Sequence, residues 1–242
     1  MPAHDTPAVV ARVLGEARRV NVHTPAAYAT ARRARFPVLY MPDGGLDEDF
    51  PHVVATVDSL VALGRIRRVI VVGVPNTARP RDLTGPTRVA RDSAIAPRVG
   101  GSAAFRGFLR DDLVPTIDAR YRSTGERGIV GESLAGLFVV ETLLTEPALF
   151  THYVALDPSL WWDRGALADS AAARLRRLDV RGRTLYVAGS KDDVDDRTAR
   201  RAAALRTARP GGLAWTYVPR PDQTHATIFR AAGPAALAAG LR

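Results

Sequence analysis

One stretch constrains the chain more than any other: Ile129-Val130-Gly131-Glu132-Ser133-Leu134-Ala135-Gly136-Leu137-Phe138-Val139-Val140. It opens on a β-branched pair, turns within a few residues, and continues as an apolar segment compatible with a helix. The pattern G-x-S-x-G in a strand–turn–helix context is that of a nucleophile elbow. A serine on so tight a turn has strained dihedrals and projects its hydroxyl away from the sheet. Its neighbours must be small where strand and departing helix pass each other. The bland reading is a glycine-rich turn carrying an incidental serine, so the flanking chain has to decide.

The flanks alternate strand and helix. Arg18–His23 and the apolar run Phe36–Met41 read as strands, the latter closed by Pro42-Asp43-Gly44-Gly45, a turn rich in residues that tolerate positive φ. Val53–Leu63 has apolar residues at helical spacing with Gly64 as a stop, and Arg68–Val74 reads as a buried strand. Ala104–Ile117 reads as a helix perturbed near its end by Pro115. Beyond the elbow come strands at Tyr153–Leu156, Thr184–Ala188 and Leu213–Val218. Helices are expected at Ala199–Ala208 and Thr227–Leu237, the last interrupted by Pro234. Strands that are continuously apolar, alternating with helices, imply a mostly parallel sheet covered on both faces. The expectation is one α/β domain over residues 1–242. Its rhythm breaks only at Pro75–Gly101, an irregular excursion that follows a buried strand and should border the ligand-binding edge of the sheet.

Composition narrows the function classes. Cysteine is absent, which removes disulfides and thiolate metal sites. No apolar run reaches the ~18 residues of a membrane span, and Met1–Asp5 lacks the features of a secretion signal, so a cytoplasmic protein without membrane contact is expected. The formal charge is +9, yet 33 of the 34 basic residues are arginine, Lys191 being the single lysine. The arginines are scattered rather than interleaved with aromatics. Nucleic acid is therefore not the expected partner, although anionic ligands would be attracted.

A serine hydroxyl needs a base, and the base an orienting group. Two histidines follow Ser133. His152 stands at the entry to a strand and reads as structural. His225 lies in the polar loop between the last strand and the last helix, where a base acting on the elbow is expected. For the acid, Asp192 in Gly189–Val194 is favoured. Asp157, after the preceding strand, is the alternative, and Asp193 a lesser one; these loop carboxylates also suit capping of the next helix. The oxyanion donors expected are the N–H groups of Leu134 and of Gly45.

Val38–Gly44, Gly73–Thr77 with Arg81-Asp82-Leu83-Thr84, Gly131–Gly136 and Pro158-Ser159-Leu160-Trp161-Trp162 together resemble the putative-esterase family, nearest its siderophore-esterase branch. The resemblance runs from about Val13 to the final helix. It implies an α/β-hydrolase fold, no metal or organic cofactor, and cleavage of small-molecule carboxylic esters through an acyl-serine by a monomer or homodimer. The family usually carries serine where this chain has Asp157, and some of its members work with a serine–histidine pair alone. Arg81, with Arg79 and Arg88, is expected to bind an anionic part of the substrate. Trp161 and Trp162 either wall an aromatic acyl pocket or pack in the core. Two rival readings stand: acyl transfer on the same residues, and a basic binding protein that retains the fold without the activity.

Overall fold

The computed structural model describes residues 2–193 and 211–241. Its strands are β1 (Ala8–Ala11), β2 (Glu16–Arg19), β3 (Asn21–His23), β4 (Phe36–Pro42), β5 (Ile70–Val74), β6 (Ser123–Glu132), β7 (His152–Leu156), β8 (Arg183–Ser190) and β9 (Leu213–Arg220). Seven form one sheet in the order β3-β5-β4-β6-β7-β8-β9. β3 runs antiparallel to β5, and every other pairing in that sheet is parallel. The stretch expected as one strand at Arg18–His23 is divided at Val20. Its first part pairs with β1 in a separate hairpin and its second joins the sheet edge.

The principal helices are α1 (Phe50–Ala62), α2 (Arg79–Leu83), α3 (Ser102–Phe108), α4 (Val114–Arg120), α5 (Leu134–Leu143) and α6 (Ile228–Gly240). Both faces of the sheet are buried, which explains the unbroken apolar strands. Along β4, Val38 and Tyr40 face a core shared with Phe105, Phe108 and Phe138, while Leu39 and Met41 face one shared with Phe50, Val54, Phe229 and Leu237.

Two prolines show how context modifies local preference. The helix expected at Ala104–Ile117 is present but widens to a π-turn at Leu109–Leu113, where Val114 N–H reaches back to Leu109 O. Pro115, which has no N–H to give, follows directly after the wider turn. Pro234 lies inside α6 without interrupting it. It borders an open groove against α1 together with Arg230, one helical turn before it. The helix expected at Ala199–Ala208 lies outside the described residues.

The excursion at 75–101 is more regular than its sequence implies. It contains α2 and a helical turn at Ala90–Ser93. It is tied to itself by Gly101 N–H to Arg81 O at 2.7 Å and to the chain after β7 by the Trp162 indole N–H on Gly85 O at 2.9 Å. It leaves from the carboxyl end of β5, the same edge at which β6 delivers the elbow.

Phe138 tests the packing on which α5 depends. It is fully buried and meets Phe105 edge-on with ring centroids 5.1 Å apart. Phe138→Ala should cost about 3–5 kcal/mol in denaturant unfolding; a loss below about 1 kcal/mol would contradict this packing.

Candidate active site

The elbow forms where β6 hands over to α5. Ser133 has φ 58° and ψ −121°, a conformation costing a non-glycine residue about 1–3 kcal/mol. Crowding imposes it. A Cβ on Gly131 would lie 2.6 Å from the Ala135 carbonyl carbon, and one on Gly136 would lie 3.0 Å from Pro158 Cα. Ser133 N–H is held by Leu156 O at 3.1 Å, Ser133 O accepts from Ser159 N–H at 3.0 Å, and the hydroxyls of Ser133 and Ser159 are 3.3 Å apart. The serine is thus fixed against the end of β7, with Leu134 as the first residue of α5.

The residue after Leu156 is Asp157, buried and at φ 43°. Its Oδ2 accepts from His225 Nδ1 at 2.6 Å and from Ser190 Oγ at 2.8 Å, and its Oδ1 accepts from Ser190 N–H at 2.9 Å. Burial alone would raise the Asp157 pKa, but the hydrogen bonds from His225 and Ser190 outweigh it and hold the carboxyl below its usual range. The same bond, with the Asp157 charge and those of Glu132 and Asp192, raises the His225 pKa against the opposing effect of burial. Bonding Nδ1 to Asp157 leaves Nε2 as the ring nitrogen for a substrate or serine.

The structure thus brings Asp157, the alternative, to the imidazole rather than the favoured Asp192. The Asp192 carboxylate takes the backbone N–H of His225 at 2.8 Å instead of the imidazole. The reason is positional: β7 lies beside the serine strand, whereas Asp192 stands two residues beyond the end of β8 and meets the histidine loop from its rim. Lys191 N–H on Gln223 O, at 3.1 Å, fastens the same two loops. His152 sits at the opposite end of the sheet, between Thr184 and Glu126.

The turn after β4 also departs from expectation. Gly45 N–H donates to Glu48 Oε2 at 2.7 Å while Glu48 N–H donates to Gly45 O at 3.2 Å, a turn closed on itself just before α1. The expected donor is therefore occupied by the chain's own carboxylate in this conformation. Two of the arginines expected to meet a substrate, Arg79 and Arg81, are paired with the chain's own carboxylates, while Arg88 is exposed. Arg81 is engaged by Asp82 at 2.6 Å and Glu16 at 3.0 Å, and Arg79 by Asp43. Arg88 contributes its backbone N–H to Asp163. Trp162 is buried and lines a cavity of about 160 Å³ with Gly85, Leu137 and Glu141, while Trp161 is half-buried against it.

Glu132, the variable position of the elbow motif, was not singled out by sequence. One of its oxygens, Oε1, is buried and has no hydrogen-bond partner. Burial raises its pKa to about 7; His225 opposes the shift, and Asp49, Asp157 and Asp43 add to it. Ser159 and Ser190 were missed as well. The available signal was their place at this edge, Ser190 as the last residue of β8 and Ser159 three residues beyond β7. Among the described residues, no group of three or more His, Asp or Glu side chains gathers in a way that could hold a metal ion.

A parallel sheet of this order with a strained serine at a strand–helix crossing defines an α/β-hydrolase. Comparison with known proteins narrows the class. Residues 11–212 match the model of the Putative esterase family, and the chain belongs to that family. It is 32% identical over 151 residues to ferri-bacillibactin esterase BesA of Bacillus subtilis, covering 54% of this chain and 50% of that protein. It is 28% identical over 168 residues to a siderophore enterobactin esterase of Emericella nidulans, covering 58% and 55%. The chain thus spans about half the length of these curated relatives. Among solved structures, an IroE-like serine hydrolase from Shewanella oneidensis superposes with a TM-score of 0.89 at 26% identity, over 98% of this chain and 79% of that one.

The crowding at the elbow gives a direct test. Gly131→Ala places a methyl against Ala135 backbone, so the variant should melt well below the native protein and lose reactivity at Ser133 towards a fluorophosphonate probe. Native stability with full labelling would mean that the crossing is not what shapes the elbow.

Proposed function

We propose that the protein is a serine esterase that cleaves carboxylic esters through an acyl-serine intermediate. The observation carrying this reading is the placement, at the ends of adjacent parallel strands, of a strained Ser133 after β6 and a buried Asp157 after β7 that clamps the His225 imidazole. In this scheme Ser133 Oγ attacks the ester carbonyl carbon while His225 Nε2 takes the hydroxyl proton. Negative charge collects on the carbonyl oxygen, which accepts from the N–H of Leu134 at the head of α5 and from the turn at Asp43–Gly45 once Glu48 gives way. Each such donor is worth about 3 kcal/mol of barrier. His225 then returns its proton to the departing alcohol, and the same imidazole deprotonates the water that frees the acid. Asp157 holds the imidazole tautomer and stabilises the imidazolium.

The relatives named as siderophore esterases support esters of siderophore type as substrates. The site itself supports a small-molecule ligand whose recognition does not depend on Arg79 or Arg81, because both are engaged in internal ion pairs.

A fluorophosphonate should label Ser133, and p-nitrophenyl butyrate should be turned over; Ser133→Ala should abolish both. A folded native protein showing neither would refute the esterase reading.

The acid has its own signature. A base works only when neutral, so kcat/KM should fall as pH drops through the raised pKa of His225. Asp157→Asn removes the largest cause of that elevation. It should move the acid limb to lower pH and lower kcat by up to ~10⁴. Asp192→Asn, whose amide oxygen can still accept the His225 N–H, should cost less than about tenfold. The opposite ranking in pH–rate profiles would return the role to Asp192.

A further inference from the structure

We propose that Arg79 is a positioning residue for the oxyanion turn, acting through Asp43; the inference rests on the esterase reading above. Asp43 is the first residue after β4 and stands at φ 56°, a left-handed conformation that a non-glycine residue holds only when its surroundings enforce it. Its side chain is buried. Arg79 grips it with two parallel bonds, Nε to Oδ1 at 2.7 Å and Nη2 to Oδ2 at 2.8 Å, the fork geometry that an ammonium cannot reproduce. Asn76 adds a third, Nδ2 to Oδ1 at 2.5 Å, and the same Nδ2 reaches Glu48 Oε1 at 2.7 Å.

Arg79 and Asn76 belong to the excursion after β5, whereas Asp43 and Glu48 belong to the segment after β4. The clamp therefore joins the ends of two adjacent parallel strands at the edge where the nucleophile stands. Burial tends to lower the Arg79 pKa, but the hydrogen bonds and charge of Asp43, with Asp49 and Glu132, more than reverse that, so the guanidinium is secured as a cation. The turn's backbone is fastened independently. Asp43 O accepts from Asp49 N–H at 3.1 Å, Gly44 N–H donates to Val74 O at 3.1 Å, and Asn21 Nδ2 donates to Gly44 O at 2.8 Å. Gly44 also lies so close to β5 that a Cβ there would be 2.2 Å from Val74 N. With these ties intact, removing Arg79 leaves the turn in place but frees the Asp43 dihedral. The aim of the Gly45 N–H, the donor this turn offers once Glu48 gives way, then loosens by a fraction of an ångström. Such a loss falls on the transition state, where the oxyanion needs its donors, and spares ground-state binding.

The test uses the full chain with p-nitrophenyl butyrate and compares wild type with Arg79→Ala, Arg79→Lys, Asp43→Asn and the Arg79→Ala/Asp43→Asn double variant. Arg79→Ala should lower kcat about 10- to 100-fold with KM within about twofold. It should also weaken an alkylboronic acid, whose adduct on the serine is tetrahedral, by a similar factor. Arg79→Lys should recover only part of the loss. The double variant should be no worse than the poorer single one, because both changes break one interaction. Unchanged kcat in Arg79→Ala while wild type turns over would overturn the proposal. So would a raised KM at constant kcat, which would make Arg79 a substrate contact, or losses that multiply in the double variant. Should Arg79→Ala fail to fold, Arg79→Lys and Asp43→Asn carry the same kcat-against-KM comparison. An inactive, unlabelled wild type would instead sink the esterase reading and this inference with it.

Discussion

The chemistry of this molecule depends on how closely β6 and α5 cross. With hydrogen in place of a side chain at Gly131 and Gly136, the helix backbone comes within about one atomic diameter of the strand end and of Pro158 on the neighbouring segment. No relaxed dihedral can connect the two elements across that gap, so Ser133 takes a strained one. The strain is tolerated because both elements are buried along their length, α5 on nearly every side and β6 on both faces through its last residues. The core thus supplies the free energy that holds an unfavourable backbone in place, and the hydroxyl is presented as a consequence.

Charge at the site is arranged differently from charge on the chain as a whole. The net +9 comes from arginines, yet those nearest the site are bound internally, Arg79 to Asp43 and Arg81 to Asp82 and Glu16. What remains at the strand ends is carboxyl-rich. Asp157 is compensated by His225 and Ser190, Asp43 by Arg79 and Asn76, and Glu132 is left with an unpartnered oxygen and a pKa near neutrality. Arg79 and Arg81, two of the arginines expected to meet an anionic substrate, are held in these internal pairs. A guanidinium at a strand end is stabilised more by a buried carboxylate 2.7 Å away than by exposure to a transient ligand.

Much of the architecture was legible because hydrophobic burial writes itself into local pattern. The runs Phe36–Met41, Arg68–Val74, Tyr153–Leu156 and Thr184–Ala188 are apolar but for Arg68 and Thr184 at their starts because both sheet faces are covered, and they read as strands. Features without a local period were less visible. The β1–β2 hairpin alternates too weakly to stand out, the π-turn at Leu109–Leu113 lies inside a stretch that reads as one helix, and α2 is a short helix stabilised by what it touches.

At the site the same division holds. Ser133 and Leu134 were marked by the elbow spacing, and His225 by its loop between the last strand and the last helix, since chain order alone determines which loop reaches which edge. The partner of His225 was not determined that way. Asp157 and Asp192 both follow sheet strands, and only the lateral order β6-β7-β8-β9 places Asp157 beside the serine and Asp192 at the rim. The engagement of Gly45 N–H by Glu48, and of Asp43 by Arg79 and Asn76, likewise joins residues whose partnership no spacing announces. Sequence by itself determined what is encoded by periodicity and turn chemistry: the layered sheet, the elbow and the serine it carries. Which carboxylate meets which cation was decided only by tertiary packing, because an ion pair depends on distances of a few ångströms between segments that sequence separation does not measure.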